Sequence, residues 1–145
     1  FWMRDDVLTL SIHGHPNVAY PYFSGFADEV GEGKGRGFNR NYPLAEGCGE
    51  QTYLDALERA SKRVRRFATE VLVVPIGFDT MRGDPTGSFD LRPSGIEKIG
   101  RRLAALDVPM LLVQEGGYSL HNLRRGVVAL AGGLAANLGT KGDSR

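Results

Sequence analysis

One run narrows the fold of this chain more than any other: Val71-Leu72-Val73-Val74-Pro75-Ile76, passing directly into Gly77-Phe78-Asp79. Near-continuous apolar residues over so short a length read as a buried strand of a parallel sheet, because a half-exposed strand would alternate and a helix would be longer. Open parallel sheets collect their ligands beyond the carboxyl ends of the strands, which is where Asp79 stands. Two further runs end in the same fashion. Residues 7–12 lead into His13, and residues 110–115 lead into Gly116-Gly117-Tyr118. One sheet edge would then carry an imidazole, a carboxylate and a phenol.

Elsewhere the spacing is helical. Tyr53, Leu57, Ala60, Val64 and Phe67 recur on one face, with Lys62, Arg63, Arg65 and Arg66 on the others. This predicts an amphipathic helix of about five turns, with basic residues in the last turns where they complement the helix dipole. No aromatic platform interleaves them, so they read as a solvated face rather than a nucleic-acid stripe. Pro93 opens a second helix where its missing N–H does no harm, with Ile96, Ile99, Leu103 and Leu106 as its buried stripe. Ser119 caps a third, with Leu123, Val127, Leu130 and Leu134 as its stripe and Gly132-Gly133 permitting close approach of a neighbour.

Residues 38–44 read as a further strand. The order strand, long loop, strand, helix, strand, helix, strand, helix predicts an α/β fold, a parallel sheet with right-handed crossovers and helices on its faces. A single domain over residues 1–138 is expected, followed by a polar tail at 139–145. Three or four strands make a thin sheet that needs cover on both faces, and the missing cover would lie upstream. Phe1-Trp2-Met3-Arg4 is large and apolar where natural termini are polar and frayed, so the start reads as a cut edge.

The formal charge of +1 on 145 residues provides no long-range field for nucleic acid or anionic lipid. No run has the length of a membrane span, and the beginning lacks the layout of a signal peptide. The single cysteine, Cys48, has no internal partner, which fits a reducing, cytoplasmic setting. A homo-oligomer is left open.

The segment 14–36 is long for a loop, and its rings Tyr20, Tyr22, Phe23 and Phe26 must be packed or used. Its glycine ladder, Gly31 to Gly37, could cradle a phosphate, but no apolar strand leads into it and no helix follows, so a mobile turn is the expectation. Asp79 by itself suits a turn or cap as well as a metal. Tyr118 by itself suits a surface or core ring, although two preceding glycines leave the phenol unobstructed. His13 and His15 lack the helical spacing of a ligand pair. His13 reads as hydrogen-bonded, His15 as exposed, and His121 as a surface residue at the start of the last helix.

Taken together, residues 6–13 (Asp-Val-Leu-Thr-Leu-Ser-Ile-His), residues 28–39 with their glycine ladder, Gly77-Phe78-Asp79 with Gly83-Asp84-Pro85, and Glu115-Gly116-Gly117-Tyr118 resemble the carboxyl-terminal half of the catalytic domain of the histone deacetylase and acetylpolyamine amidohydrolase superfamily. The likeness runs from Phe1 to about Leu138, and around 13–37 it is nearer the bacterial acetylpolyamine amidohydrolases and class II-like deacetylases. It implies an arginase/deacetylase-like fold and a zinc-dependent hydrolase of linear acetamides, acting on an acetylated polyamine, another small amine or acetyl-lysine. It implies zinc on Asp79 and an oxyanion-stabilising hydroxyl on Tyr118. Tyr20 would form an aromatic tunnel wall, Thr86 the tunnel rim, and Gly116 and Gly117 would border the substrate. A structural K+ or Na+ would use Ser11 and the carbonyl of Ile12, and a second would use the backbone carbonyls of Phe1, Arg4, Val7 and Phe38. The family's first zinc aspartate, its zinc histidine and its two general acid–base histidines lie upstream of the position matching Phe1. The chain alone is therefore expected to be inactive, with a missing amino-terminal segment of the same protein as its partner. The alternative is a non-catalytic module that keeps the fold for binding or subunit pairing.

Overall fold

The computed structural model describes residues 1–136, so the expected tail at 139–145 lies outside the described residues. Strand β1 (Thr9–Gly14) pairs in parallel with β2 (Asn39–Leu44), from Thr9 opposite Asn39 to Gly14 opposite Leu44. Helix α1 (Glu50–Arg66) leads to β3 (Leu72–Ile76), and α2 (Pro93–Ala104) leads to β4 (Met110–Gln114), which pairs in parallel with β3 from Leu72 opposite Met110. Helix α3 (Leu120–Ala135) follows, with the Ser119 hydroxyl accepting from the Asn122 N–H as a cap. The α/β class and the parallel pairing are as the periodicity predicts.

The single sheet is not. Among the described residues there are two separate two-stranded sheets. Between them lies a cavity of about 880 Å³, lined by residues 10–14 of β1 and by residues 72–77, which cover β3 and the glycine after it. Successive strand residues point to opposite faces, so a wall made of an unbroken run means that each strand meets the cavity along its edge. Both edges carry unpaired backbone groups. The expectation that β3 is buried on both faces is corrected for the same reason: Leu72, Val74 and Ile76 pack on the core, whereas Val73 is 53% exposed and its neighbour Leu111 is 56% exposed.

The core itself lies under α1, α2 and α3. Leu54, Leu57, Ala60 and Val64 of α1 pack with Ile96, Ile99 and Leu103 of α2 and with Leu130 of α3. Helices α2 and α3 touch backbone to backbone. A Cβ added at Gly133 would sit 2.1 Å from the Glu97 carbonyl oxygen, and one added at Gly100 would sit 2.6 Å from that of Leu130. Of the expected third stripe, Leu123, Leu130 and Leu134 pack on the core, but Val127 is exposed and Asn122, Gly126 and Gly133 are buried in its place. A small residue is needed at the closest approach, and that displaces the bulky one.

The glycine ladder is packed into the fold. It forms a short 3-10 turn at Gly33–Gly35 against the start of the chain, where a Cβ at Gly35 would lie 2.3 Å from the Trp2 carbonyl oxygen. Glycine is required because two backbones meet there.

Candidate active site

Beyond Ile76 the β3–β4 ladder continues one further step: the Glu115 N–H donates to the Ile76 carbonyl (3.0 Å) and the Phe78 N–H to the Gly116 carbonyl (2.8 Å). Phe78–Thr80 then closes into a 3-10 turn. The Phe78 ring is buried against α3, at Gly126, which fixes the turn in place. Asp79 is thereby brought against the residues that follow β4. A Cβ at Gly77 would lie 2.3 Å from Asp79 Oδ1, and one at Gly116 would lie 2.1 Å from Oδ2. The carboxylate sits in a cradle that any side chain at either glycine would fill.

Burial, and next the negative charge of Asp84, push the Asp79 carboxyl above its ordinary value, while the N–H groups of Asp79 and Thr80 hold it back. No ion pair relieves it among the described residues. A half-buried carboxylate without a cation has the donor character of a metal ligand. It is one ligand only: among the described residues no group of three His, Cys, Asp or Glu could hold a metal ion. A zinc site ordinarily takes three protein ligands, so the fit to zinc is partial.

Tyr118 lines the same cavity as Asp79, together with Tyr20, Thr86, Gly116, Ser11, Ile12 and His13. Tyr118 is 63% exposed, and among the described residues only its backbone N–H is bonded, to Asp84 Oδ2 at 2.8 Å. Thr86 is turned toward Asp84 Oδ1, with its N–H at 3.1 Å and its hydroxyl at 3.2 Å. Tyr20 is 86% exposed at the cavity, edge-on to the ring of Tyr22 at 6.4 Å, and Phe23 is exposed beside them in sequence, so these rings stay outside the core. Gly117 backs onto Phe78 and Leu123 instead of lining the cavity, with φ +137°, a conformation that side chains rarely adopt.

His13 is held from both sides. Its Nε2 lies 2.9 Å from the Gly25 carbonyl and its Nδ1 2.7 Å from Ser11 Oγ. A carbonyl only accepts, so Nε2 carries the proton, and in the neutral ring the Ser11 hydroxyl donates to Nδ1, leaving its own lone pairs free. His15 is half-buried rather than exposed, edge-on to Phe26 at 6.0 Å. His121 is exposed, as expected. Phe1, Arg4, Val7 and Phe38 lie away from the cavity lining. The Phe1 carbonyl accepts from the Arg4 N–H (3.0 Å), which leaves it a second lone pair, whereas the Phe38 carbonyl accepts from both the N–H (2.8 Å) and the hydroxyl (3.4 Å) of Thr9.

Residues 1–134 match the model of the histone deacetylase domain. The chain belongs to that family. It is 48% identical over 120 residues to acetylpolyamine amidohydrolase 1 of Pseudomonas aeruginosa, covering 83% of this chain and 35% of that one. The crystal structure of an acetylpolyamine aminohydrolase from Burkholderia pseudomallei superposes with a TM-score of 0.91 at 39% identity, over 94% of this chain and 40% of that one. A histone deacetylase homologue from Aquifex aeolicus gives 0.85 at 32% identity, over 90% and 35%. The chain thus spans little more than a third of the length of these relatives.

Two residues of this deacetylase-family chain went unassigned in the sequence. Glu29 accepts from the Gly25 N–H with both oxygens (3.0 Å each) and from Asn41 Nδ2 (3.3 Å), bracing the loop under His13. Asp84 ties the Thr86 loop to Tyr118. Its signal was the Gly83-Asp84-Pro85 turn, but nothing local in the sequence reveals a partner 34 residues away.

Proposed function

We propose that this chain is the carboxyl-terminal portion of a zinc-dependent amidohydrolase that removes acetyl groups from acetylated amines, either acetylpolyamines or acetyl-lysine. The observation that carries the reading is that Asp79 and Tyr118, beyond the ends of adjacent parallel strands, line one cavity. Asp79 would be one ligand of the metal, which when bound supplies Lewis-acid polarisation of the acetyl carbonyl and of water. The Tyr118 hydroxyl, without a partner among the described residues, donates to the carbonyl oxygen as charge accumulates there. Gly77 and Gly116 leave the Asp79 carboxylate the space it occupies, and Gly116 borders the substrate's cavity. The exposed ring of Tyr20 stacks along the acyl chain, and Thr86 borders the entrance. Ser11 and Ile12, and separately the carbonyls of Phe1, Arg4, Val7 and Phe38, would hold structural K+ or Na+.

The remaining metal ligands and the general base would come from protein outside this chain, and the open edges of β1 and β3 are where such a segment would be seated. The relatives' greater length supports this. The chain alone is then inactive at any zinc concentration. The lone Cys48 thiol accords with a cytoplasmic setting.

The test is acetate release from an N-acetylated diamine and an acetyl-lysine peptide by the longest protein that carries this chain. Loss of turnover in both Asp79→Asn and Tyr118→Phe supports the reading, and turnover that survives both rules it out. The second reading, a non-catalytic module, is favoured by the absence of a three-ligand metal group among the described residues. Binding of the acetylated amine without turnover in the zinc-loaded protein would select it.

A further inference from the structure

Asp84 has no part in the chemistry above, yet it is the most heavily engaged carboxylate near the cavity. It is 8% exposed and both oxygens are fully used: Oδ2 accepts from the N–H groups of Tyr118 (2.8 Å) and Ser119 (3.0 Å), and Oδ1 from the N–H and hydroxyl of Thr86 (3.1 and 3.2 Å). The donors belong to two separate segments, the rim loop after Asp79 and the turn into α3.

Tyr118 depends on such an anchor. Two glycines precede it, the residue is largely exposed and its hydroxyl has no partner among the described residues, so packing there does not aim the phenol. The backbone must aim it, and the Tyr118 N–H goes to Asp84 alone. Gly87 packs between the two segments: a Cβ there would lie 2.2 Å from the Asp79 carbonyl oxygen and 3.2 Å from Asp84 Cβ.

We propose that Asp84 is a positioning residue for Tyr118, its carboxylate fixing the Gly116-Gly117-Tyr118 turn so that the phenol stands at a set distance from Asp79. The inference rests on the amidohydrolase reading of Tyr118. Asparagine cannot replace it, because an amide presents an acceptor on one side only and would turn its NH2 toward one of the two pairs of donors. A residue that only caps α3 and closes a turn would behave differently: its loss would lower stability without regard to what stands at position 118.

The experiment measures kcat and KM for acetate release from an N-acetylated diamine by the zinc-loaded longer protein carrying this chain, as wild type, Asp84→Asn, Tyr118→Phe and the double variant. A misplacement of about 1 Å costs on the order of 10²-fold in turnover. Asp84→Asn is therefore expected to lower kcat by roughly that factor with KM nearly unchanged, and to lower it no more than about 2-fold once Tyr118 is phenylalanine. An unchanged kcat, or the same loss in the phenylalanine background, overturns the proposal while leaving the amidohydrolase reading standing. A Tyr118→Phe variant with full turnover overturns both. Should Asp84→Asn not fold, Asp84→Glu keeps the charge on a longer arm and is expected to lose at least roughly 10-fold in kcat, again only when Tyr118 is present; wild-type turnover in it overturns the proposal. Hydrogen exchange on the metal-free protein gives a second readout. The Tyr118 and Ser119 amides lose protection in Asp84→Asn, and unchanged protection contradicts the assignment.

Discussion

Replacing Gly133 by alanine, with Gly132 as its control one position away, isolates how α2 and α3 are joined. In both variants alanine removes the conformational cost of glycine in a helix, a gain of about 0.5–1 kcal/mol. At Gly132 nothing among the described residues lies within 4 Å of the new Cβ, so the gain stands. At Gly133 the Cβ would come within 2.1 Å of the Glu97 carbonyl oxygen and 3.0 Å of the Arg101 nitrogen. Both obstacles are helix backbone, so α2 must shift by about 1 Å, and overpacking of this kind costs roughly 1–3 kcal/mol. Taking the upper end, Gly133→Ala is destabilised by about 2 kcal/mol net. The two variants should then differ by about 3 kcal/mol, or on the order of 10 °C in Tm for a domain of this size. Thermal unfolding followed by circular dichroism reads this directly. Equal melting temperatures, or a more stable Gly133→Ala, would refute the backbone contact between the helices.

Gly116→Ala would put a methyl 2.1 Å from Asp79 Oδ2 at a residue outside the positive-φ region, so its effect reports crowding of the carboxylate alone. Turnover by the longer protein should drop by roughly 10²-fold, with Gly132→Ala near wild type; equal activities would sink the cradle. Asp79 predicts a pH effect in metal-free protein. Its folded-state value is raised by burial and by Asp84, so the folded chain binds the proton more tightly and stability falls as pH rises from the ordinary value of 3.8 through the folded one. Asp79→Asn should melt higher than wild type at neutral pH and lose that advantage toward pH ~4 in calorimetry with chelator. A constant difference across that range would contradict the burial account. Asp84 has the opposite sign: burial raises its carboxyl, but bonds from Tyr118, Thr86 and Ser119 outweigh burial and hold it low. Asp84→Asn should therefore cost stability at neutral pH, and the deficit should vanish as pH falls below 3.8, through the folded-state value.

Much of this molecule is legible without coordinates because its signals are local. The Val71 to Ile76 run, Pro93 at the first helical position and Ser119 as a cap each fix an element from a few residues. The chemistry at strand ends is legible too, since parallel pairing brings Asp79 against Gly116, two residues before Tyr118. Non-local geometry was not legible. Pairing of β1 with β2 and of β3 with β4 leaves no trace in composition, so the division into two sheets around a cavity could not be read from the strand runs. On α3 periodicity identified Leu123, Leu130 and Leu134 but also favoured Val127, whereas close contact selects Gly126 and Gly133. Asp84 hid in an ordinary Gly-Asp-Pro turn, since its partners are set by the tertiary fold.

The most direct measurement is a crystal structure of the zinc-loaded longer protein with a hydroxamate analogue of an acetylated amine. The account predicts anomalous scattering from zinc at the Asp79 carboxylate and the Tyr118 hydroxyl within about 2.7–3.1 Å of the analogue's carbonyl oxygen. Zinc bound away from Asp79, or a Tyr118 phenol turned out of the cavity with the analogue in place, would contradict it.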